Sequence, residues 1–83
     1  MSEKVLNEDW SDYDDRKIRD SRDAKYFACD ESWEREYLIK KIRSVYNYER
    51  DTIAKAIDKC CESVPAPRPR KQFVECVMRR LQG

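Results

Sequence analysis

The sequence predicts an all-α fold, a compact three-helix domain preceded by a disordered acidic N-terminal arm. One observation is compositional: the 83 residues include a single glycine, and the three prolines stand together at residues 65, 67 and 69. β-Sandwiches and barrels need turn residues along the whole chain. A second is that three stretches after residue 30 carry apolar residues at helical spacing. A chain of this length forms one domain.

Residues 1–25 are predicted to be a flexible acidic arm. Apolar residues are sparse here and follow no sustained helical or strand period, whereas acids are frequent from Glu8 to Asp15. Trp10 and Tyr13 are the exceptions. Two aromatic side chains in a polar segment can dock onto a surface, which includes the surface of the domain itself.

Residues 26–83 are predicted to fold as the three-helix domain, with helices at about 31–46, 49–63 and 70–82. In the first helix Leu38, Ile39 and Ile42 share one face, and Trp33 and Tyr37 form a second, aromatic edge. The other two helices carry apolar stripes that comprise Ile53, Ala56, Ile57, Cys60 and Val64, and then Phe73, Val74, Val77, Met78 and Leu81. Residues 64–70 are predicted to form a stiff extended connector, because each proline biases its predecessor away from helix. Three amphipathic helices with short connections bury their stripes against one another.

One short motif lies in the first predicted helix. Glu34, Tyr37, Lys40 and Lys41 form the pattern Glu-x-x-Tyr-x-x-Lys-Lys, after an Asp/Ser/Arg-rich lead-in at residues 19–23. This arrangement resembles a family of short bacterial proteins of unknown function, over about half of the chain. The break at residues 43–48 and the proline-rich connector depart from the family pattern. The resemblance implies a small bacterial helical domain and implies no activity.

The same sequence predicts a cytoplasmic protein with no membrane association. There is no apolar run of transmembrane length, and the charged first residues lack the apolar core of a signal peptide. In a reducing compartment the four cysteines (Cys29, Cys60, Cys61 and Cys76) are expected to be reduced and to act as small apolar side chains. Two disulfides are the alternative, with three possible pairings.

No enzymatic activity, cofactor or metal site is predicted. The chain has no histidine, which excludes a histidine general base or triad. One glycine cannot build a phosphate-binding loop. Structural zinc sites usually draw on C-x₂₋₄-C pairs, and the cysteine spacings contain none.

The predicted role is that of a small non-catalytic accessory or regulatory module that binds another protein. Its candidate interface comprises Trp10, Tyr13, Trp33 and Tyr37, because exposed aromatic side chains mark protein interfaces. The segment 65–70 is a second candidate, either as a basic proline-rich ligand or as a plain rigid linker. The oligomeric state is left open.

The alternative is electrostatic nucleic-acid binding through the basic C-terminal half. Up to Glu36 the chain has twelve acids and seven bases, and from Tyr37 onward it has five acids and eleven bases. The candidate phosphate-binding patch comprises Lys40, Lys41, Arg43, Arg68, Arg70, Lys71, Arg79 and Arg80. The opposite charges of the two halves also raise the hypothesis that the acidic arm folds over the basic C-terminal face and masks it, which the sequence leaves open.

Overall fold

The structure is a computed structural model, and it describes residues 2–82. Within them five helices and two short strands follow in the order α1 (Ser2–Leu6), α2 (Ser11–Arg19), β1 (Tyr26–Phe27), α3 (Ser32–Val45), α4 (Arg50–Ser63), β2 (Arg68–Pro69) and α5 (Arg70–Gln82). The radius of gyration is 11.7 Å, against about 12 Å for a compact domain of this length. The fold is therefore mostly helical and compact. Among these helices, none combines the length and the apolar character needed to cross a bilayer.

Helices α3, α4 and α5 correspond to the three predicted helices, and their bounds differ from 31–46, 49–63 and 70–82 by at most one residue. Helix α4 packs against both α3 and α5. Their stripes supply most of the core, in which Leu38, Ile42, Ile53, Ile57, Phe73 and Val77 are fully buried. Burying side chains of this size stabilises the fold by about 1.5–3 kcal/mol each.

Strand β2 lies inside the proline-rich connector and pairs antiparallel with β1. The pairing continues in a hydrogen bond from the Arg70 backbone N–H to the carbonyl oxygen of Lys25, at 2.7 Å. The Phe27 ring stacks on the Phe73 ring with centroids 4.4 Å apart. The connector is therefore fixed to the segment before α3.

The described part of the predicted arm, residues 2–25, is folded in the structure, which corrects the prediction of a disordered segment. Helix α1 packs against α3 and α5, and Val5, Trp10 and Tyr13 are buried in the core. The inward face of α2 comprises Tyr13 and Lys17, and Trp10, the residue just before the helix, continues it at a spacing of three residues. Because its third member is a lysine, this face does not show as an apolar stripe in the sequence. Met1 and Gly83, at the ends of the two predicted ranges, lie outside the described residues.

Helix α2 ends without a glycine. Ser21 takes a φ of 59°, in the left-handed region. The N–H of Arg22 donates to the carbonyl oxygen of Lys17 at 2.7 Å and closes the helix end. Glycine usually occupies such a position. Because a serine stands here, the sequence does not indicate that a helix ends at this point.

Candidate functional site

The four rings of the predicted aromatic interface pack together between α2 and α3. The Tyr13 ring is central, with its centroid 5.2 Å from Trp10, 5.4 Å from Trp33 and 5.3 Å from Tyr37. Trp10 and Tyr13 are only 5% and 0% exposed, whereas Trp33 and Tyr37 are half-buried. The prediction of Trp10 and Tyr13 as interface residues is corrected, because they form core. Trp33 and Tyr37 retain exposed surface.

The turn before α2 is held by side chains of α3. The carbonyl oxygen of Asp9 accepts hydrogen bonds from the Tyr37 hydroxyl at 3.2 Å and from the Lys41 ammonium at 2.5 Å. The Trp10 indole N–H donates to the carbonyl oxygen of Val5 at 3.0 Å and so connects α1 to the start of α2. These bonds fix the position of the N-terminal segment on the domain.

A buried ion pair adjoins the aromatic cluster. The Lys17 Nζ lies 2.9 Å from Glu34 Oε2, and the two side chains are 3% and 0% exposed. Glu34 Oε1 also accepts from the Tyr13 hydroxyl at 2.6 Å and from the Ala28 N–H at 3.0 Å. Lys17 donates to the carbonyl oxygen of Tyr26 at 2.9 Å. Ionised side chains are tolerated inside a protein when they are paired and hydrogen-bonded in this way.

The buried pair and its partners act as a structural anchor. Every buried side-chain nitrogen and oxygen of the described residues has a hydrogen-bond partner. The buried polar atoms of this network are therefore all hydrogen-bonded within the domain. Burial, and then the hydrogen bond to Glu34, hold the pKa of Tyr13 far above its ordinary value. The Tyr13 hydroxyl is therefore a neutral donor at physiological pH, and the network ties α2 to α3 and to β1.

We expect the stability of the wild-type domain to fall more steeply at alkaline pH than that of a Tyr13→Phe variant. The raised pKa keeps the hydroxyl protonated in the folded protein, whereas a tyrosine in the unfolded chain ionises near pH ~10. Tyr13 therefore contributes its full share to the free energy of unfolding below that pH. As the pH rises further toward the folded-state pKa, this share is lost by up to about 1.4 kcal/mol per pH unit. Urea unfolding of both proteins between about pH 8 and 11 measures it. Equal slopes would contradict the assignment.

An open groove is formed where the exposed edges of Trp33 and Tyr37 meet charged side chains of α2 and α3. Its volume is about 360 Å³, and it is lined by Arg16, Trp33, Glu36, Tyr37 and Lys40. The Arg16 guanidinium carbon lies 4.3 Å from the centroid of the Trp33 ring, which is a cation–π contact. We call this the Trp33–Tyr37 groove.

The Trp33–Tyr37 groove offers positive charge to a ligand. Glu36 is occupied, because both of its carboxylate oxygens accept hydrogen bonds from Arg50, and these bonds lower the pKa of Glu36. Arg16 and Lys40, in contrast, form no ion pair within residues 2–82. Two aromatic edges therefore adjoin two cations without ion pairs in this part of the chain: Arg16, which contacts the Trp33 ring, and Lys40, which shares a neighbouring groove with Glu8 and Asp12.

Three of the eight residues in the predicted nucleic-acid patch bind groups of the domain itself. Lys41 holds the Asp9 carbonyl oxygen. Arg68 donates to two carbonyl oxygens near the C-terminal end of α4, at 2.7 and 3.1 Å. Arg70 pairs with Asp14 of α2 at 2.8 Å. The charged groups of these three side chains are therefore already bonded to other groups of the domain.

The other five residues of that patch are exposed, namely Lys40, Arg43, Lys71, Arg79 and Arg80. Two of them have acids of the N-terminal segment beside them. Lys40 lines a shallow groove with Glu8 and Asp12, and Lys71 lines another with Glu3. At these two grooves, acids of the N-terminal segment lie beside bases of the patch. Nearby acids lower the local positive potential.

The four cysteines form two disulfides, Cys29–Cys61 and Cys60–Cys76, which corrects the prediction of reduced cysteines. Both pairs have Cα atoms 6.1 Å apart, within the usual range. The first disulfide joins the segment before α3 to α4, and the second joins α4 to α5. Adjacent residues of a helix point about 100° apart, so the pair at 60 and 61 ties one helix to two different neighbours.

Sequence reasoning missed the roles of Lys17 and Glu34, although each carries a signal. Lys17 continues the spacing of Trp10 and Tyr13, and Glu34 stands in register with Leu38, one turn later on α3. Opposite charges within two otherwise apolar stripes indicate a buried pair. No comparable signal marks Arg16 or Glu36, whose place in the groove depends on how α2 packs against α3.

Within the described residues, no group of three or more cysteine, aspartate or glutamate side chains is placed to hold a metal ion. Comparisons of the chain with protein-family models, curated proteins and solved structures find no match. The resemblance to the short bacterial family around Glu34, Tyr37, Lys40 and Lys41 stays a prediction. Function is therefore inferred from the geometry of the surface alone.

Proposed function

We propose that the domain is a small non-catalytic module that binds another protein, and that the Trp33–Tyr37 groove receives an acidic segment of that partner. The observation that carries the proposal is the presence, in one open groove, of two half-buried aromatic rings and two cations without ion pairs among residues 2–82. Aromatic side chains and arginine are enriched at protein interfaces. An acidic segment neutralises Arg16 and Lys40, while an apolar side chain of the same segment covers the rings.

The groove is supported from inside the domain. Tyr13, which is fully buried, contacts both Trp33 and Tyr37. The Lys17–Glu34 pair fixes α2, the helix that carries Arg16, to α3. A surface held in this way loses little conformational entropy when it binds a partner.

An amide chemical-shift titration of the labelled protein tests the proposal. The probe is a glutamate-rich peptide of about ten residues with one central phenylalanine, and its control is the same peptide with lysine in place of glutamate. The acidic peptide is expected to shift residues that line the groove, more strongly at low salt than at moderate salt. Equal shifts with the lysine peptide, or no shifts with either, would overturn the proposal.

Substitutions in the groove give a quantitative prediction. Trp33→Ala is expected to weaken binding of the acidic peptide about 30-fold. Removal of a central aromatic side chain from an interface costs about 2 kcal/mol of binding free energy, which corresponds to this factor. Arg16→Gln is expected to weaken it about threefold, because an exposed ion pair contributes under about 1 kcal/mol. Both affinities are measured by calorimetric titration.

Tyr48→Ala is the matched control for Trp33→Ala, since Tyr48 is a half-buried aromatic residue outside the lining of the groove. Its affinity for the acidic peptide is expected to equal that of the wild type. Equal losses in the two variants would mean that general loosening, not a lost contact, causes the effect.

Electrostatic nucleic-acid binding is the second candidate, and the exposure of Arg43, Lys71, Arg79 and Arg80 favours it. The internal bonds of Lys41, Arg68 and Arg70 and the acid beside Lys71 support the protein partner instead. Titration with a short random DNA duplex separates the two, because phosphate contacts weaken steeply with salt. Shifts at residues 71, 79 and 80 with DNA, without shifts from the acidic peptide, would favour nucleic acid.

We also propose that the domain folds in an oxidising compartment, in place of the cytoplasm that the sequence predicts. Its two disulfides support this, because disulfides persist in oxidising compartments and are rare in the cytosol. When thiols are blocked at the moment of cell lysis, the protein is expected to carry no blocked cysteine. Four blocked cysteines would favour the cytoplasm.

A further inference from the structure

The two disulfides have different surroundings. Cys60 is fully buried and belongs to the hydrophobic core, and its disulfide therefore has one sulfur that an external thiol cannot reach. Cys29 and Cys61 are both partly exposed. A thiolate must approach a disulfide sulfur directly in order to react with it, so access favours reaction at Cys29–Cys61.

A cation lies beside the exposed disulfide. Arg35 Nη1 is 3.7 Å from Cys61 Sγ, and the same guanidinium also pairs with Asp58. A neighbouring arginine stabilises a cysteine in its thiolate form. The sulfur whose thiolate is better stabilised is also the better leaving group when a disulfide is attacked.

We propose that Cys29–Cys61 is a site of thiol–disulfide exchange that accepts a low-molecular-weight thiol. The attacking thiolate forms a bond to Cys29 Sγ as the Cys29–Cys61 bond breaks, and the electron pair of that bond leaves on Cys61 Sγ beside Arg35. The products are a mixed disulfide on Cys29 and a thiolate on Cys61. A second thiolate attacks the sulfur of the bound small thiol, releases the oxidised small disulfide, and leaves Cys29 as a thiolate that takes a proton from water.

The Cys60–Cys76 disulfide resists the same reaction. Attack at Cys76, which is partly exposed, would leave the negative charge on Cys60 within the apolar core. An apolar environment raises the free energy of a thiolate. This disulfide continues to join α4 to α5 when the other is open, so the protein with one disulfide is expected to remain folded.

The test uses the wild-type protein under native conditions, with 2-mercaptoethanol as a neutral probe. The reaction is stopped by acid at intervals, free thiols are alkylated, and peptides are mapped by mass spectrometry. Cys29–Cys61 is expected to open at least about 10-fold faster than Cys60–Cys76, with the mixed disulfide on Cys29. Equal rates, faster opening of Cys60–Cys76, or a mixed disulfide on Cys61 would overturn the proposal.

Variants of Arg35 separate its charge from its packing. Arg35→Gln is expected to slow the opening of Cys29–Cys61 about fivefold, and Arg35→Lys is expected to recover most of the rate. Asp58→Asn removes the ion pair but keeps the guanidinium, so its rate is expected to match or exceed that of the wild type. A purely structural role of Arg35 would instead make both Arg35→Gln and Asp58→Asn react faster, and that result would contradict the assignment.

Discussion

Reduction of both disulfides is expected to remove most of the stability of the domain. Cys60–Cys76 and Cys29–Cys61 close loops with sequence separations of 16 and 32 residues. Loops of these lengths correspond to about 3 and about 4 kcal/mol of stabilisation in the chain-entropy model. A domain of this size has a total stability of about 4–12 kcal/mol, so the loss of both disulfides removes most of it.

Thermal unfolding followed by circular dichroism, with and without excess reductant, measures the effect. The paired variants Cys60→Ala/Cys76→Ala and Cys29→Ala/Cys61→Ala are each expected to lower the Tm by at least about 12 °C, from a loss of about 3 kcal/mol. A variant with alanine at all four positions is the control for the reductant, which should not change its unfolding. An unchanged Tm in the fully reduced wild-type protein would contradict the prediction.

Lys17→Met is expected to destabilise the domain by about 3–5 kcal/mol, because it leaves the buried Glu34 carboxylate without its counter-charge. The substitution keeps the apolar length of the lysine side chain, so most of the loss reports the missing charge. Glu34→Gln leaves the Lys17 ammonium unpaired and is expected to cost a similar amount. The double variant removes both charges and is expected to be more stable than the sum of the two losses predicts.

Urea unfolding of the four proteins measures this cycle. Lys59→Met is the matched control, since Lys59 is exposed and its nearest carboxylate, on Glu62, is 3.9 Å away. An exposed pair of this kind is expected to change the stability by less than about 1 kcal/mol. A loss in Lys17→Met no larger than that in Lys59→Met would show that the buried pair does not anchor α2.

The sequence by itself determined the three main helices. In each of them, apolar side chains recur at spacings of three and four residues, so one face of the helix is apolar whatever its neighbours are. This spacing predicts core positions for residues such as Leu38, Ile57 and Val77, and all three are fully buried. The sequence also determined the extended connector, since proline restricts the backbone of the residues next to it and no distant contact is needed.

Only the tertiary structure decided the N-terminal segment and the disulfides. The spacing of Lys17 from Trp10 and Tyr13 indicates an inward position, but only the folded chain brings Glu34 to it from 17 residues away. The pairing of Cys60 and Cys61 with different partners depends on where α4 lies relative to α5 and to the segment before α3. The Trp33–Tyr37 groove exists because α2 carries Arg16 to α3. Burial, ion pairing and disulfide geometry are relations between distant residues, whereas periodicity and proline stiffness are properties of neighbouring ones.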